Sequence, residues 1–146
     1  MSEPITLAYV EDCLRWYPEN CQALKDRRAW LEAVHSADRF EPHYGGAGLH
    51  GSHQERMVIL FERDDILETL TRKTVPITEW SNVAPLKLYR VANVRYFERV
   101  DGGRRRTWHE TALILHVSDI YARGKLRSKL LESVLLFFQL RSIQIG

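Results

Sequence analysis

Hydrophobic residues recur with helical spacing along most of this chain. The first such segment covers residues 6–17, where four apolar side chains share one face: Leu7, Val10, Leu14 and Tyr17. Pro18 is tolerated in the first turn of a helix, so a second helix is predicted from about residue 19 to 37. Residues 55–74 return to the same spacing. The pattern therefore predicts several helices in the N-terminal region.

Two prolines mark the next helix boundaries. Pro76 is predicted to end or kink the third helix, with another turn or two over residues 77–83. Pro85 is predicted to open a further helix that reaches to about residue 97. The buried side of that helix is predicted to hold Leu86, Tyr89, Ala92 or Asn93, and Tyr96 or Phe97.

The stretch from residue 107 to 131 contains two short helical patterns joined by a tight turn. Thr107 and Glu110 have the spacing of a capping box, in which each side chain bonds the backbone NH of the other residue. Ser118 is predicted to cap the second helix. The first helix is predicted to bury Trp108, Ala112 and either Ile114 or Leu115, with Val117 filling the corner. We interpret the stretch as a helix-turn-helix, although such turns commonly have glycine where this chain has His116.

The two sides of the second helix differ in character. Ala122, Leu126 and Leu130 recur every four residues and are predicted to be buried. Asp119, Ile120, Arg123 and Arg127 fall on the other side, where the N-terminal residues of a recognition helix reach base edges in the major groove. Gly124 costs this helix about 1 kcal/mol relative to alanine. The alternative is a helical hairpin with a solvated basic face.

Residues 38–54 interrupt the helical pattern. Four glycines and a proline predict a loop, which also carries His43, His50 and His53. A zinc site needs four ordered ligands, usually with cysteine among them, and none lies nearby in sequence, so no metal site is predicted. The predicted fold is all-α, with an N-terminal helical region (residues 1–84) joined to a helix-turn-helix domain (residues 85–146).

Charge is distributed unevenly along the chain. Residues 1–86 contain 9 Lys and Arg against 14 Asp and Glu, whereas residues 87–129 contain 11 against 4. A basic segment that coincides with the helix-turn-helix is typical of contact with phosphate. Arg104, Arg105 and Arg106 lie immediately before the first helix of the motif, where the helix dipole adds to their attraction for the DNA backbone. The residues predicted to contact DNA are Arg104, Arg105, Arg106, Ser118, Asp119, Ile120, Tyr121, Arg123, Lys125 and Arg127.

The composition of the chain bears on the predicted location of the protein in the cell. The longest apolar run is residues 134–138, far short of the roughly 18 residues that a membrane span requires. The N-terminus does not have the basic-then-apolar character of a signal peptide, and only Cys13 and Cys21 are present, so a reducing cytoplasm is predicted. The apolar C-terminal segment, residues 134–145, is predicted to fold back over the core or pack against a partner.

Several short motifs resemble one family. Residues 9–18 (YVEDCLRWYP), residues 94–97 (VRYF), residues 108–112 (WHETA) and residues 115–118 (LHVS) resemble the small phage-encoded late-gene transcription activators of the RinA/ArpU type. The second half is also similar to the promoter-binding domain of bacterial sigma factors. The resemblance implies an all-helical DNA-binding protein of the bacterial cytoplasm that activates late genes. The family tends to place a basic or hydroxyl residue after the serine, and Asp119 departs from this pattern.

The sequence is compatible with three functions. The favoured function is a sequence-specific transcription regulator, with promoter DNA and host RNA polymerase as partners, no cofactor and no catalysis. The alternative is a phage DNA-packaging subunit, which would share the motif and also assemble into a homo-oligomer. A nucleic-acid enzyme is disfavoured because few acidic residues accompany the basic segment. Asp64 and Asp65 are predicted to lie on a solvated helix face, since adjacent helical side chains diverge.

Overall fold

A computed structural model describes residues 4–38 and 53–145. Within these ranges every regular element is helical, as the sequence pattern predicts, and there are no strands. The main helices are α1 (Leu7–Arg15), α2 (Tyr17–Asp38), α3 (His53–Arg63), α4 (Asp65–Val83), α5 (Leu86–Ala92), α6 (Trp108–Leu115), α7 (Asp119–Tyr121) and α8 (Arg127–Ile145). A π-helical turn, Asn93–Phe97, extends α5, and a second one, Ala122–Leu126, joins α7 to α8. A short 3-10 turn, Asp101–Gly103, precedes α6. Most of the predicted loop at 38–54, with His43 and His50, lies outside the described residues.

The chain divides into two compact units. One comprises residues 1–18 and 73–146, and the other comprises residues 19–72. These limits differ from the predicted boundary between residues 84 and 85. The reason is that α1 packs against α8, so that Val10 and Leu14 are buried in the same core as Leu126 and Leu130. The spacing of apolar residues within α1 shows which of its faces is buried, but not which helix covers that face.

The core of the first unit is rich in aromatic side chains. Trp80 is fully buried, and its indole NH donates a hydrogen bond of 2.9 Å to Ser133 Oγ. Tyr96 is also fully buried and packs edge-on against Trp108, with 5.9 Å between the ring centroids. The predicted buried side of α5 is correct for Ala92 and Tyr96 but wrong for Leu86, which is 86% exposed. Val91, which is not in the predicted set, is buried in the core.

The second unit contains an ion pair at a helix boundary. The predicted single helix over residues 55–74 is wrong, because α3 ends at Arg63 and α4 begins at Asp65. The Asp64 carboxylate accepts the Leu67 backbone NH at 2.7 Å, as a helix cap does, and it accepts two bonds from Arg27 at 3.1 and 2.7 Å. Asp64 is therefore not on a solvated face. The helix does not end at Pro76, because α4 continues through this residue to Val83.

Candidate nucleic-acid interface

The N-terminus of α6 is capped as the sequence predicts. Thr107 Oγ1 accepts the backbone NH of Glu110 at 3.2 Å, and Glu110 Oε1 accepts the NH of Thr107 at 3.0 Å. Arg104 adds two bonds to the same carboxylate, at 2.7 and 2.9 Å. These bonds, with Arg104 the largest cause, lower the pKa of Glu110 to about 2. The start of α6 is thus fixed by a charged network that includes the first of the three arginines.

The turn after α6 takes a left-handed conformation at His116. Its φ of 58° and ψ of 45° are the values for which glycine is usually selected. The Val117 NH bonds the Ala112 carbonyl at 3.0 Å and the His116 NH bonds the Leu113 carbonyl at 3.3 Å, which together form a Schellman motif. Val117 packs against the core at the corner, as predicted. The turn therefore has the left-handed backbone conformation that glycine usually adopts, although a histidine occupies this position.

The helix after the turn has the predicted cap and buried stripe. Ser118 Oγ accepts the Tyr121 NH at 3.1 Å. Ala122, Leu126 and Leu130 are all buried and belong to the same core cluster as Ala112 of α6. Residues 119–127 are helical throughout, and only Ala122 and Leu126 among them are buried. The remaining side chains of this segment are therefore partly or fully open to solvent.

Arg127 corrects the predicted DNA-facing set. Its guanidinium donates from Nε and from a terminal nitrogen to the two oxygens of Glu11, at 2.7 and 2.6 Å. Tyr96 Oη donates a third bond of 2.5 Å to the same carboxylate, whose side chain is only 11% exposed. The Arg127 side chain is partly open to solvent, as predicted, with 42% of its surface exposed, but its guanidinium is bound to Glu11 and is not a free cation. Packing of α1 against α8 brings a buried carboxylate beside it.

The contacts among Glu11, Tyr96 and Arg127 shift the pKa values of the carboxyl and of the phenol. The hydrogen bonds from Arg127 are the largest cause that lowers the pKa of Glu11 to about 2, against the opposing effect of burial. Burial and the charge of Glu11 raise the pKa of Tyr96 well above its usual range. Sequence reasoning missed the cluster because its members lie 85 and 116 residues apart. Glu11 is buried in α1, and its position beside Val10 and Leu14 of the apolar stripe is the signal that the sequence offered.

The arginine triplet before α6 is also engaged within the chain. Arg104 is bound to Glu110, as described above. Arg105 stacks over the Trp16 ring, 4.7 Å from its centroid, and also bonds the Arg15 carbonyl. Arg106 is bound to Glu98 at 2.8 Å and to the Val94 carbonyl at 3.2 Å, with a side chain only 17% exposed. The triplet therefore fastens the segment before α6 to its neighbours, and Arg106 has little surface left for a phosphate.

The first turn of α7 carries a carboxylate that is bonded to a histidine and an apolar side chain that is exposed to solvent. Asp119 Oδ2 lies 2.7 Å from His109 Nδ1 on α6, so the acid is held toward the preceding helix. Ile120, the next residue, is 88% exposed. An apolar side chain at this position has the chemistry that contacts a thymine methyl group. Both residues belong to the predicted DNA-contacting set.

A second group of cations has no acidic partner among the residues that the structure describes. Arg90, Arg123, Lys125 and Lys129 are exposed, and no residue in the described part of the chain forms an ion pair with them. Lys87 likewise has no carboxylate partner there; its Nζ lies 3.4 Å from the Tyr121 hydroxyl and 5.7 Å from the centre of that ring.

Tyr121 shows that three of these cations, Lys87, Lys125 and Lys129, lie close to one another. The bond from Lys87 is the largest cause that lowers the pKa of Tyr121, and the charges of Lys129 and Lys125 act in the same direction. We call Lys87, Lys125 and Lys129, around Tyr121, the lysine cluster. Sequence analysis included Lys125 and Tyr121 but missed Lys87 and Lys129, which come from α5 and from the first turn of α8.

Neither a metal site nor a membrane-spanning helix is found among the described residues. Over residues 4–38 and 53–145, no three His, Cys, Asp or Glu side chains converge on a point where a metal ion could be held. None of the described helices combines the length and apolar character that a membrane crossing requires. Comparison with protein-family models, with curated proteins and with solved structures finds no match to this chain.

Proposed function

We propose that this chain binds double-stranded DNA and regulates transcription, with the helix that begins at Asp119 placed in the major groove. The support is geometric. A capped helix, α6, leads through a tight left-handed turn into a second capped helix whose buried stripe packs against it. The outer side of the second helix is open to solvent over its first two turns. That arrangement is the one a helix-turn-helix uses to present side chains to base edges.

The single observation that carries the proposal is the group of unpaired cations beside this helix. No described residue forms an ion pair with Lys87, Lys125 or Lys129 of the lysine cluster. The same is true of Arg90 on α5 and Arg123 in the π-helical turn, and we call these five cations the positive surface. Removal of an exposed cation that takes part in no ion pair leaves no buried carboxylate without its partner. These cations are available for phosphate oxygens, and each contact made releases counterions from the duplex.

The regulatory assignment comes from the resemblance to phage late-gene activators. A protein of that kind binds DNA at a promoter in the bacterial cytoplasm and touches RNA polymerase through another surface. No catalytic step is part of the proposal. DNA affinity comes from the cations, and base selection comes from the exposed first turn, where Ile120 and Asp119 lie.

A DNA-packaging subunit is the second candidate, and one observation favours it. Leu136 and Leu140 of α8 are spaced by four residues and are each more than half exposed. An apolar pair on the outside of a helix suits contact between copies of the chain. Light scattering separates the two candidates, because a stable ring of many subunits favours packaging and a monomer or dimer favours the regulator.

The test of DNA binding uses two matched double variants. Arg123→Ala with Lys125→Ala removes two unpaired cations next to the recognition helix. Lys25→Ala with Arg28→Ala removes two exposed cations of α2 and serves as the control for net charge. Fluorescence anisotropy with a labelled duplex is expected to show weaker binding only for the first variant. Its slope of log affinity against log salt should fall by about 1.8, at about 0.9 per lost phosphate contact.

Two results would count against the proposal. Equal loss of affinity in both double variants would mean that the chain responds to net charge and not to a defined surface. Selection of bound duplexes from a random pool tests sequence specificity separately. An enriched motif supports a regulator, whereas a pool that stays random would remove the sequence-specific part of the proposal.

A further inference from the structure

An apolar groove opens beside the proposed recognition helix. It has a volume of about 310 Å³ and lies between α5 and the turn that joins α6 to α7. Val91 and Leu126, both almost fully buried, contribute to its lining, as do the half-buried Leu115 and Val117. Leu86, which sequence analysis placed in the core, contributes its exposed side chain to the same groove. Leu86 thus belongs to an apolar surface at the edge of the core, since Val91 and Leu126 are members of the core and also line the groove.

Two cations complete the lining. Lys87 and Arg90 lie one turn apart on α5, and both line the groove. Neither has a carboxylate partner among the described residues. Lys87 donates to the hydroxyl of Tyr121 and lies over its ring, and neither of these neutral groups compensates its charge. A groove with an apolar lining and two unpaired positive charges is complementary to one kind of molecule, an anion that carries an apolar body.

We propose that this groove binds a small amphipathic anion, such as a carboxylate on an aliphatic chain. The volume lies at the small end of the range for ligand pockets, roughly 300–1,000 Å³. The apolar body fills the space against Val91, Leu115 and Leu126, and the carboxylate accepts charge-assisted hydrogen bonds from Lys87 and Arg90. A DNA phosphate has no apolar group for this lining. The groove therefore offers a ligand site distinct from the phosphate-contacting surface, although the two share cations.

Because the groove and the phosphate-contacting surface share Lys87 and Arg90, we expect a ligand in the groove to regulate DNA binding. This step rests on the proposed function. Lys87 and Arg90 belong to the positive surface that contacts phosphate in the DNA complex. A carboxylate bound between them adds a negative charge next to the lysine cluster and occupies donors that phosphate would use. Occupancy of the groove is therefore expected to weaken DNA binding. Thermodynamic linkage requires that DNA weaken anion binding by the same factor.

The first experiment needs no DNA. Methyl resonances of the full chain are followed by NMR during titration with sodium octanoate, with octan-1-ol and sodium acetate as matched probes. Octanoate is expected to shift the methyl groups of the groove saturably, namely those of Leu86, Val91, Leu115, Val117 and Leu126. Octan-1-ol should bind about tenfold more weakly because it cannot form the charged hydrogen bonds, and acetate should give no saturable shifts.

Variants then assign the charged contact. Lys87→Ala with Arg90→Ala should reduce octanoate affinity to that of octan-1-ol, whereas Arg123→Ala with Lys125→Ala should leave it unchanged. Octanoate that produces no saturable shifts, or that binds no better than the alcohol, overturns the proposal. So does an acidic amphipathic peptide that saturates these methyl groups when octanoate does not, because the occupant would then be a protein.

The two proposals fail separately. If octanoate binds but the chain has no affinity for duplex DNA, the groove stands and the proposed function falls. If DNA binds and octanoate lowers its affinity in the wild type but not in the Lys87→Ala and Arg90→Ala variant, the regulatory step is supported. DNA affinity that is unchanged at saturating octanoate overturns that step alone.

Discussion

Arg127 and Arg123 lie one turn apart on the same continuous helix, yet their replacement should have opposite consequences. Arg127→Ala removes both hydrogen bonds to Glu11 and leaves a carboxylate that is 11% exposed without its cation. Arg123→Ala removes a side chain that has no ion pair within the described chain. We expect Arg127→Ala to lower the free energy of unfolding and Arg123→Ala to leave it within about 0.5 kcal/mol of the wild type.

The magnitude follows from the proton affinity of Glu11. Its pKa falls from the usual 4.5 to about 2, mainly because of Arg127. At about 1.36 kcal/mol for each tenfold change in proton affinity, this corresponds to about 3 kcal/mol. Solvent screens part of the interaction, since the Arg127 side chain is 42% exposed, and Tyr96 keeps its bond to Glu11. We therefore expect a loss of about 2–3 kcal/mol, or ~5–10 °C in Tm.

The pH dependence gives a signature that loss of packing would not. A carboxyl with a lowered pKa in the folded protein stabilises it above its unfolded pKa, and the stabilisation is lost as the pH falls through the folded value. The stability difference between wild type and Arg127→Ala should therefore be constant from pH 7 to about 5 and shrink between about pH 4.5 and 2. Urea unfolding followed by circular dichroism at several pH values measures it.

Arg127→Lys provides a second check, because lysine restores one charge without the two-point contact and should recover part of the stability. Two results would refute the reasoning. One is an Arg127→Ala variant as stable as Arg123→Ala. The other is a stability difference that does not change as the Glu11 carboxylate is protonated.

Three further variants test the local structure around the turn. His116→Gly should stabilise the protein by up to about 1 kcal/mol, because glycine relieves the left-handed strain at φ 58°; a loss of stability would mean that the imidazole makes a necessary contact. Gly124→Ala should raise the free energy of unfolding by about 0.5–1 kcal/mol, because an added Cβ meets no atom within 4 Å; a lower Tm would contradict this view of the π-helical turn. Trp108→Ala should lower the free energy of unfolding by about 3–5 kcal/mol in chemical denaturation, because Trp108 is only 9% exposed and its ring packs edge-on against Tyr96. A loss below about 1 kcal/mol would place the ring outside the core.

Local features of this protein could be predicted from the sequence because they depend on residues within one or two turns of each other. The all-helical class follows from apolar spacing, and the caps at Thr107 and Ser118 follow from side chains that reach a backbone NH three residues away. The buried stripe of Ala122, Leu126 and Leu130 has the same origin. These features define the candidate helix-turn-helix. Its resemblance to the sigma-factor domain stays a prediction.

The charged surface depended on tertiary packing instead. A run of basic residues shows where positive charge lies in the chain, but not which cations are neutralised. Arg127 is bound by Glu11, 116 residues away, and Asp64 is bound by Arg27, 37 residues away. Conversely, α5 brings Lys87 to Tyr121 across 34 residues and leaves Leu86 outside the core. Charge pairing acts through space and is decided by which helices pack together, so the sequence identified the basic segment and only the fold distinguished its structural arginines from its available lysines.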